Sequence, residues 1–495
     1  MEQTAQQSAF KLNYKRTCLI GFAFFGILLL WQVYDTWCPT FLSEIFAKAF
    51  YPEYVALRQS NTLEDIAKCN DIIMKVQYPV GIMMAIDNLA ALILLPIFGK
   101  LSDKTHTKIG KRMPYILVGT FVCAVAFPFI PVFFHFNQLV GIIVMMAIVV
   151  LFAMMYRNPA VALMPDITPK PLRSKANGII NIMGYLGGAF AAVVGLVFVL
   201  SQYLGTKIDK VTGLYVDHTW AYGNIWAVEG PFLVASVLML VSALVLFFTI
   251  KENKVAEEVK DEMERGEQVS QTVDKVDDDK PMSKANKMML WFILGAEFFW
   301  FMADNGVSTF LNNYVIYGTG SSSTDTLILT IVMGVGSVAG FALGGIIASK
   351  IGRKWTLISG LGLAILAYAM WAILTFAVGL PQGQIPVWLY ILWFIKGFGM
   401  SLVHVNSFPM VVELCSSKKI GAFTGYYYAS SMAAQTITPV LLGLLLLIPG
   451  FDWRFLPVYG VACLIISLAV FFFVKNVSNS KTTIKKGLEA LDAED

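Results

Sequence analysis

Twelve apolar stretches recur along the chain, at 17–42, 76–99, 113–134, 138–158, 175–204, 230–250, 287–314, 325–349, 354–379, 386–410, 421–448 and 453–475. Each is long enough for the roughly 20 residues that a helix needs to cross a bilayer. Of the 495 residues, 57% are hydrophobic and only 14% are charged, beyond the apolar share of about 45–50% typical of soluble domains. The expected fold class is therefore an all-α membrane protein with twelve transmembrane helices. The first run follows Lys11, Lys15 and Arg16 as a signal peptide would, but it contains Asp35 and no small-residue cleavage site, so it reads as a retained first span.

Orientation follows from the loops. Lys and Arg gather in alternate connections: the N-terminal tail, the segment Pro96–Pro114, the Lys170/Arg173/Lys175 loop, Lys350–Lys354, Lys418/Lys419 and the C-terminal tail. The opposite loops His135–Gln138 and Gly379–Pro386 carry neither. The positive-inside rule then places both termini in the cytoplasm of a multi-pass protein in the cell membrane. Residues 1–250 read as one six-helix bundle and 287–475 as a second. Between them, 251–286 is a charged cytoplasmic linker with no apolar face to bury, and 476–495 is a cytoplasmic tail. The Asn476-Val477-Ser478 sequon falls inside and is expected to be unused.

The two bundles read as copies of one another. A shift of 269 residues lays Trp31 on Trp300, Asp35 on Asp304 and Thr40-Phe41-Leu42 on Thr309-Phe310-Leu311. A shift of 247 lays Asp166 on Glu413 and Gly178 on Gly425, and one of 242 lays Gly110 on Gly352. Parallel repeats around a central path, with the substrate near the midplane, are a transporter architecture.

Pro96–Pro114 is a basic hinge between two spans, with Gly99, Asp103, Lys104, Lys108, Gly110, Lys111 and Arg112; Gly352-Arg353-Lys354 is its later echo. These hinges resemble the cytoplasmic signature of the major facilitator superfamily. Pro96, Gly99, Lys108-Ile109-Gly110-Lys111 and Pro114, with Met164-Pro165-Asp166-Ile167-Thr168-Pro169, look like the glycoside–pentoside–hexuronide:cation symporters and the related sucrose-type carriers. The resemblance implies cation-coupled uptake of a sugar, such as a di- or oligosaccharide or glycoside. In the melibiose permeases of that group, paired carboxylates stand where this chain has Ala91 and Leu95, and a sugar-binding carboxylate stands at Arg157. The sucrose-type, proton-coupled branch is thus the closer analogy, with sodium as the alternative coupling ion.

A charge inside a span costs about 2.5–3.5 kcal/mol on insertion scales, so each such residue is a functional candidate. Here they are Asp35, Asp87, Arg157, Glu297, Asp304 and Lys396, with His404 beside them. Asp35 with Trp31 and Tyr34, and Asp304 with Trp300, Asn305 and Asn312, supply the aromatic faces and hydrogen-bonding groups that a sugar needs. The alternative for these aromatics is the interfacial belt. Arg157 either joins that site or snorkels to headgroups. Asp35, Asp87, Glu297 and Asp304 are the candidates for cation coupling; a structural pair with Lys396 or Arg157 is the alternative for Glu297. Gly99, Asp103, Gly110, Lys111 and Arg112, with Gly352, Arg353 and Lys354, are expected to form the cytoplasmic gate, Asp103 contacting Lys111 or Arg112.

No P-loop, nucleophile elbow or HExxH motif is present, so no enzyme is indicated. Six scattered cysteines and four histidines suggest neither a metal site nor a redox pair. Cys38 and Cys69 are better read as small unpaired hydrophobes than as a disulfide. The net charge of +4 is spread over short loops, which argues against a nucleic-acid partner. The partners expected are the bilayer and a small sugar, with no cofactor, and the monomer as the working unit. An exporter or a carrier of another solute is the alternative within transport. A non-transporting sugar sensor is the alternative outside it.

Overall fold

The computed structural model describes residues 11–169, 172–216, 223–266, 284–412, 414 and 420–474. Lys170, Lys418, Lys419, Glu413 and the tail with its sequon lie outside them. Among the described residues, twelve long helices make up the fold: α1 (Tyr14–Phe50), α2 (Leu63–Lys104), α3 (Met113–His135, with a break near Phe127), α4 (Leu139–Asp166), α5 (Arg173–Val197) and α6 (Trp226–Thr249). They continue as α7 (Lys284–Asn313), α8 (Ser323–Ile351), α9 (Arg353–Val378), α10 (Val387–Val412), α11 (Ile420–Leu445) and α12 (Leu456–Phe472).

Ten of these regions are long and apolar enough to cross a membrane on those grounds alone. The other two, α7 and α11, have the same length but are diluted by polar residues: Glu297, Asp304 and Asn305 in one, and Ser430, Ser431, Gln435 and Thr436 in the other. Among the described residues, the β-structure amounts to one isolated bridge, Ile208 to Tyr215.

The first two spans overrun their expected limits. After 42, α1 continues for two more turns, and α2 begins at Leu63 rather than 76. The charged run after Thr62 looked like a loop, yet it is a capped, ion-paired helix. The Thr62 hydroxyl accepts from the Asp65 N–H at 3.2 Å, and Lys68–Glu64 and Lys75–Asp71 close i,i+4 pairs at 2.7 and 2.6 Å. Cys38 and Cys69 are buried free thiols.

Packing repeats between the two sets of six. In the first, α1 lies against α5 and α6, α2 against α4, and α3 against α4 and α6. In the second, α7 lies against α11 and α12, α8 against α10, and α9 against α10 and α12. The sets meet where α2 packs on α11, α5 on α8, and α1 on α7. Glycine permits the first of these contacts. A Cβ on Gly81 would stand 2.1 Å from the Pro439 carbonyl oxygen, and one on Gly443 would stand 2.7 Å from that of Gln77.

Candidate functional site

Asp35 sits midway along α1 and is exposed, while Trp37, Cys38, Thr40 and Phe41, just beyond it on the side away from the hinges, are at most 1% exposed. Tyr34, the neighbouring residue, turns to α2 and donates its hydroxyl to Asp87 at 2.7 Å. Asp87 and Asp35 lie within electrostatic reach of each other, and Arg157 of α4 faces Asp35. The Trp31 ring meets Tyr34 edge-on at 5.6 Å. Asp35, Asp87 and Arg157 together carry one net negative charge when all are ionised.

The second half uses the equivalent positions differently. Asp304 makes an ion pair with Lys396 of α10, whose ammonium also lies 3.1 Å from the Met333 sulfur. His404 lies close to both, 5.4 Å from the Phe301 ring. By the 247-residue shift, His404 is the counterpart of Arg157, so acid and base face each other across α1/α4 and again across α7/α10. Asp304 is neutralised by a direct contact. Asn305 is half-buried beside it and Ser308, one turn on, is exposed.

Three expected site residues stand elsewhere. Trp300 is completely buried with its indole N–H unpartnered; it is a packing residue of this arrangement and does not reach accessible space. Glu297, two turns from Asp304, is also fully buried, and both its carboxylate oxygens lack hydrogen-bond partners. It faces Tyr427 of α11 rather than the path lined by Asp304, and Lys396 is already taken by Asp304. Asn312 likewise belongs to the seal described next.

That seal closes the far side with residues whose role the sequence does not signal. Asn313 accepts from Thr40 at 2.7 Å and donates to Ser43 and Gln77, each at 2.9 Å. Asn312 donates to Thr40 at 2.9 Å and to the Thr36 carbonyl at 3.0 Å. Gln77, Ser43, Thr40 and Asn313 are fully buried. Farther out, Glu44 is ion-paired with Arg58 at 3.0 Å and accepts from Tyr54 at 3.0 Å and from Tyr317 at 2.8 Å. The first cluster joins α1 and α2 to α7, and the second joins α1 and the short helix Tyr54–Ser60 to the continuation of α7. Glu44 escaped notice because the first apolar run ends two residues before it.

The hinge contacts lie within one half. Arg112 reaches Asp103 of α2 at 2.5 Å and Asp166 of α4 at 2.8 Å, and Lys111 shares Asp166 at 3.0 Å. These charges tie α2, α3 and α4 together, whereas the gate expectation had them hold the hinge side shut; among the described residues they join nothing across the two halves. Gly99 faces Asn158. In the echo, Gly352 takes φ +86°, a conformation suited to glycine, and joins α8 directly to α9. Arg353 opens α9, and Lys354 donates to the Phe472 carbonyl at the end of α12 at 3.1 Å. Among the described residues, no group of three or more metal-ligating side chains comes together.

The family model for the Major Facilitator Superfamily matches residues 21–381 and 370–492. The chain belongs to that superfamily. It is an integral, multi-pass membrane protein of a transporter family, not an enzyme. No curated protein sequence matches it. Among solved structures, the xylose transporter XylE from E. coli, in a partially occluded inward-open conformation, is 13% identical, with 95% of this chain and 99% of that one covered at a TM-score of 0.59. A POT family transporter in complex with 5-aminolevulinic acid is 13% identical over 94% and 96%, at 0.61. A point mutant of the nucleoside transporter NupG is 12% identical over 93% and 99%, at 0.57. At these identities the likeness is one of fold.

Proposed function

We propose that this superfamily member is a secondary transporter that carries a neutral sugar, such as a di- or oligosaccharide or a glycoside, together with a proton by alternating access. The hinge side is the cytoplasmic side of the cell membrane in this reading. The observation that carries it is the mid-span cluster of the exposed Asp35 with Asp87, Arg157 and the buried Tyr34. Charge inside a membrane is costly unless compensated. One bound proton makes this cluster neutral, and the neutral, loaded form is the one that can be enclosed when the halves rock. Asp304 has its own compensating Lys396 and is free to serve as a fixed hydrogen-bonding anchor.

The substrate class rests on the surroundings. Carboxylate, amide and guanidinium groups at Asp35, Asn305 and Arg157 match a ring of hydroxyls, and the half-buried Trp31 offers aromatic surface for a sugar's apolar face. The xylose carrier XylE shares the fold. The test is uptake of a labelled sugar panel into proteoliposomes with pH and sodium gradients imposed separately. Uptake driven by a proton gradient is expected. Uptake that follows sodium and ignores the proton gradient refutes the coupling ion. Failure to bind or move any sugar refutes the substrate class, and binding without movement identifies a sensor.

A further inference from the structure

The segment after α6, expected to be a linker without an apolar face, docks onto the hinge. Residues Glu252–Glu258 form a short helix, with a further helical turn at 260–266. Val255, Val259 and Met263 recur at i, i+4 and i+8 and pack against the protein core, Val259 being 3% exposed. Glu252 is 4% exposed. Its carboxylate accepts the backbone N–H groups of Lys111 at 2.9 Å, Arg112 at 3.1 Å and Met113 at 3.0 Å. These are the unsatisfied donors at the start of α3, where the helix dipole also favours an anion. Asn253 donates to the carbonyls of Thr107 and Lys108 at 3.0 and 3.1 Å, so both sides of the turn are held.

Gly110 completes the fit. Its φ is +120°, and a Cβ there would stand 2.1 Å from the Glu252 carboxylate. Arg112 is consequently fixed twice: its backbone by Glu252, and its side chain by Asp103 and Asp166. The second half has an analogous tie of opposite polarity, since Lys354 of its hinge meets the carbonyl end of α12. In each half the hinge is bound to the end of the sixth helix by a charge at a helix terminus.

We infer that Glu252 is the positioning residue of the first hinge and that 251–266 is a strap, which makes the connection between the two halves act directly on Pro96–Pro114. The ties to α2 and α4 therefore depend on a residue 140 positions away in sequence.

The experiment uses the full chain carrying Met113→Cys, a site 1% exposed beside the contact, with the chain lacking that change as the blank. A membrane-impermeant thiol reagent is applied from the hinge side. Glu252→Ala is expected to speed labelling about tenfold or more, with Glu252→Gln between it and the parent, because hydrogen bonds to a charged group are the stronger kind. Gly110→Ala, which keeps the acid but fills its place, is expected to speed labelling as well. The combined variant should react no faster than about the faster single one. Labelling within about twofold of the parent in Glu252→Ala overturns the inference, and so does a double variant whose acceleration equals the product of the two singles. Should Glu252→Ala fail to fold, Glu252→Gln and Gly110→Ala carry the test, and parent-like labelling in both overturns it.

Discussion

Replacing Asn313 by leucine should swing the protein toward the far-side-open state. The side chain makes three buried hydrogen bonds, to Thr40, Ser43 and Gln77. Leucine fills a similar volume, so the loss is polar. Ser43 keeps its bonds to the Pro39 carbonyl and to Gln77 at 2.7 and 3.1 Å, but the Gln77 carbonyl oxygen and the Thr40 hydroxyl hydrogen lose their partners. A buried group left unsatisfied costs about 1–3 kcal/mol, whereas interhelical hydrogen bonds in membrane proteins average about 0.6 kcal/mol each. Three bonds at the lower figure give about 2 kcal/mol, or roughly a 30-fold change in the equilibrium. The penalty vanishes once the seal opens and water solvates Gln77 and Thr40, so it acts on the closed far side alone. A cysteine at Ala47, which is fully buried, reports the opening through its rate of modification by an impermeant maleimide from the far side. The Asn313→Leu variant should label tens of times faster than the parent. An unchanged rate in a variant that elutes as a folded monodisperse species would refute the view that this network holds the far side shut.

Four further outcomes rest on the same geometry. Gly443→Ala, which presses a methyl group on the Gln77 backbone, should shift the Ala47 reporter in the same direction as Asn313→Leu. Arg112→Lys should lower thermal stability by about 1–3 kcal/mol, because a point charge cannot bridge Asp103, Asp166 and Ser102 as a planar fork does; a melting temperature within a degree of the parent would contradict this. Asp304→Asn should destabilise by about 3–5 kcal/mol by orphaning buried Lys396, and adding Lys396→Met should restore most of that loss. Asp35→Asn, with no such partner to strand, should leave the melting temperature near the parent value while abolishing gradient-driven uptake.

The spans, the repeat and the hinges were legible because they depend on patterns within a short window: apolar run length, clustered Lys and Arg, and matching residues at a constant shift. The far-side seal was not legible, because Thr40, Ser43, Gln77 and Asn313 carry no charge and become a unit only when α1, α2 and α7 converge. Glu44 and Glu252 were hidden for a different reason. Each lies just beyond the end of an apolar run, where a charge ordinarily meets water, and only tertiary packing buries it. Trp300 and Glu297 show the converse error. Helical spacing puts Glu297, Trp300 and Asp304 near one face of α7, but it does not say what packs over each turn, and neighbouring side chains cover Glu297 and Trp300 while Asp304 stays partly exposed.

Neighbouring side chains likewise make two halves with matching residues electrostatically unlike. Asp35 and Asp304 correspond by sequence, and each faces a basic residue from the fourth helix of its own half. In the second half, Lys396 intervenes and neutralises Asp304 directly; in the first, the position equivalent to Lys396 is Val149, and Asp87 adds a second acid instead. The same backbone repeat therefore holds a balanced pair on one side of the central path and an excess negative charge on the other. In the proposed mechanism the coupling proton binds in the first half. The second half supplies the fixed Asp304–Lys396 pair as a polar wall, and movement of one half against the other changes which side of the membrane Asp35 and Asp87 meet.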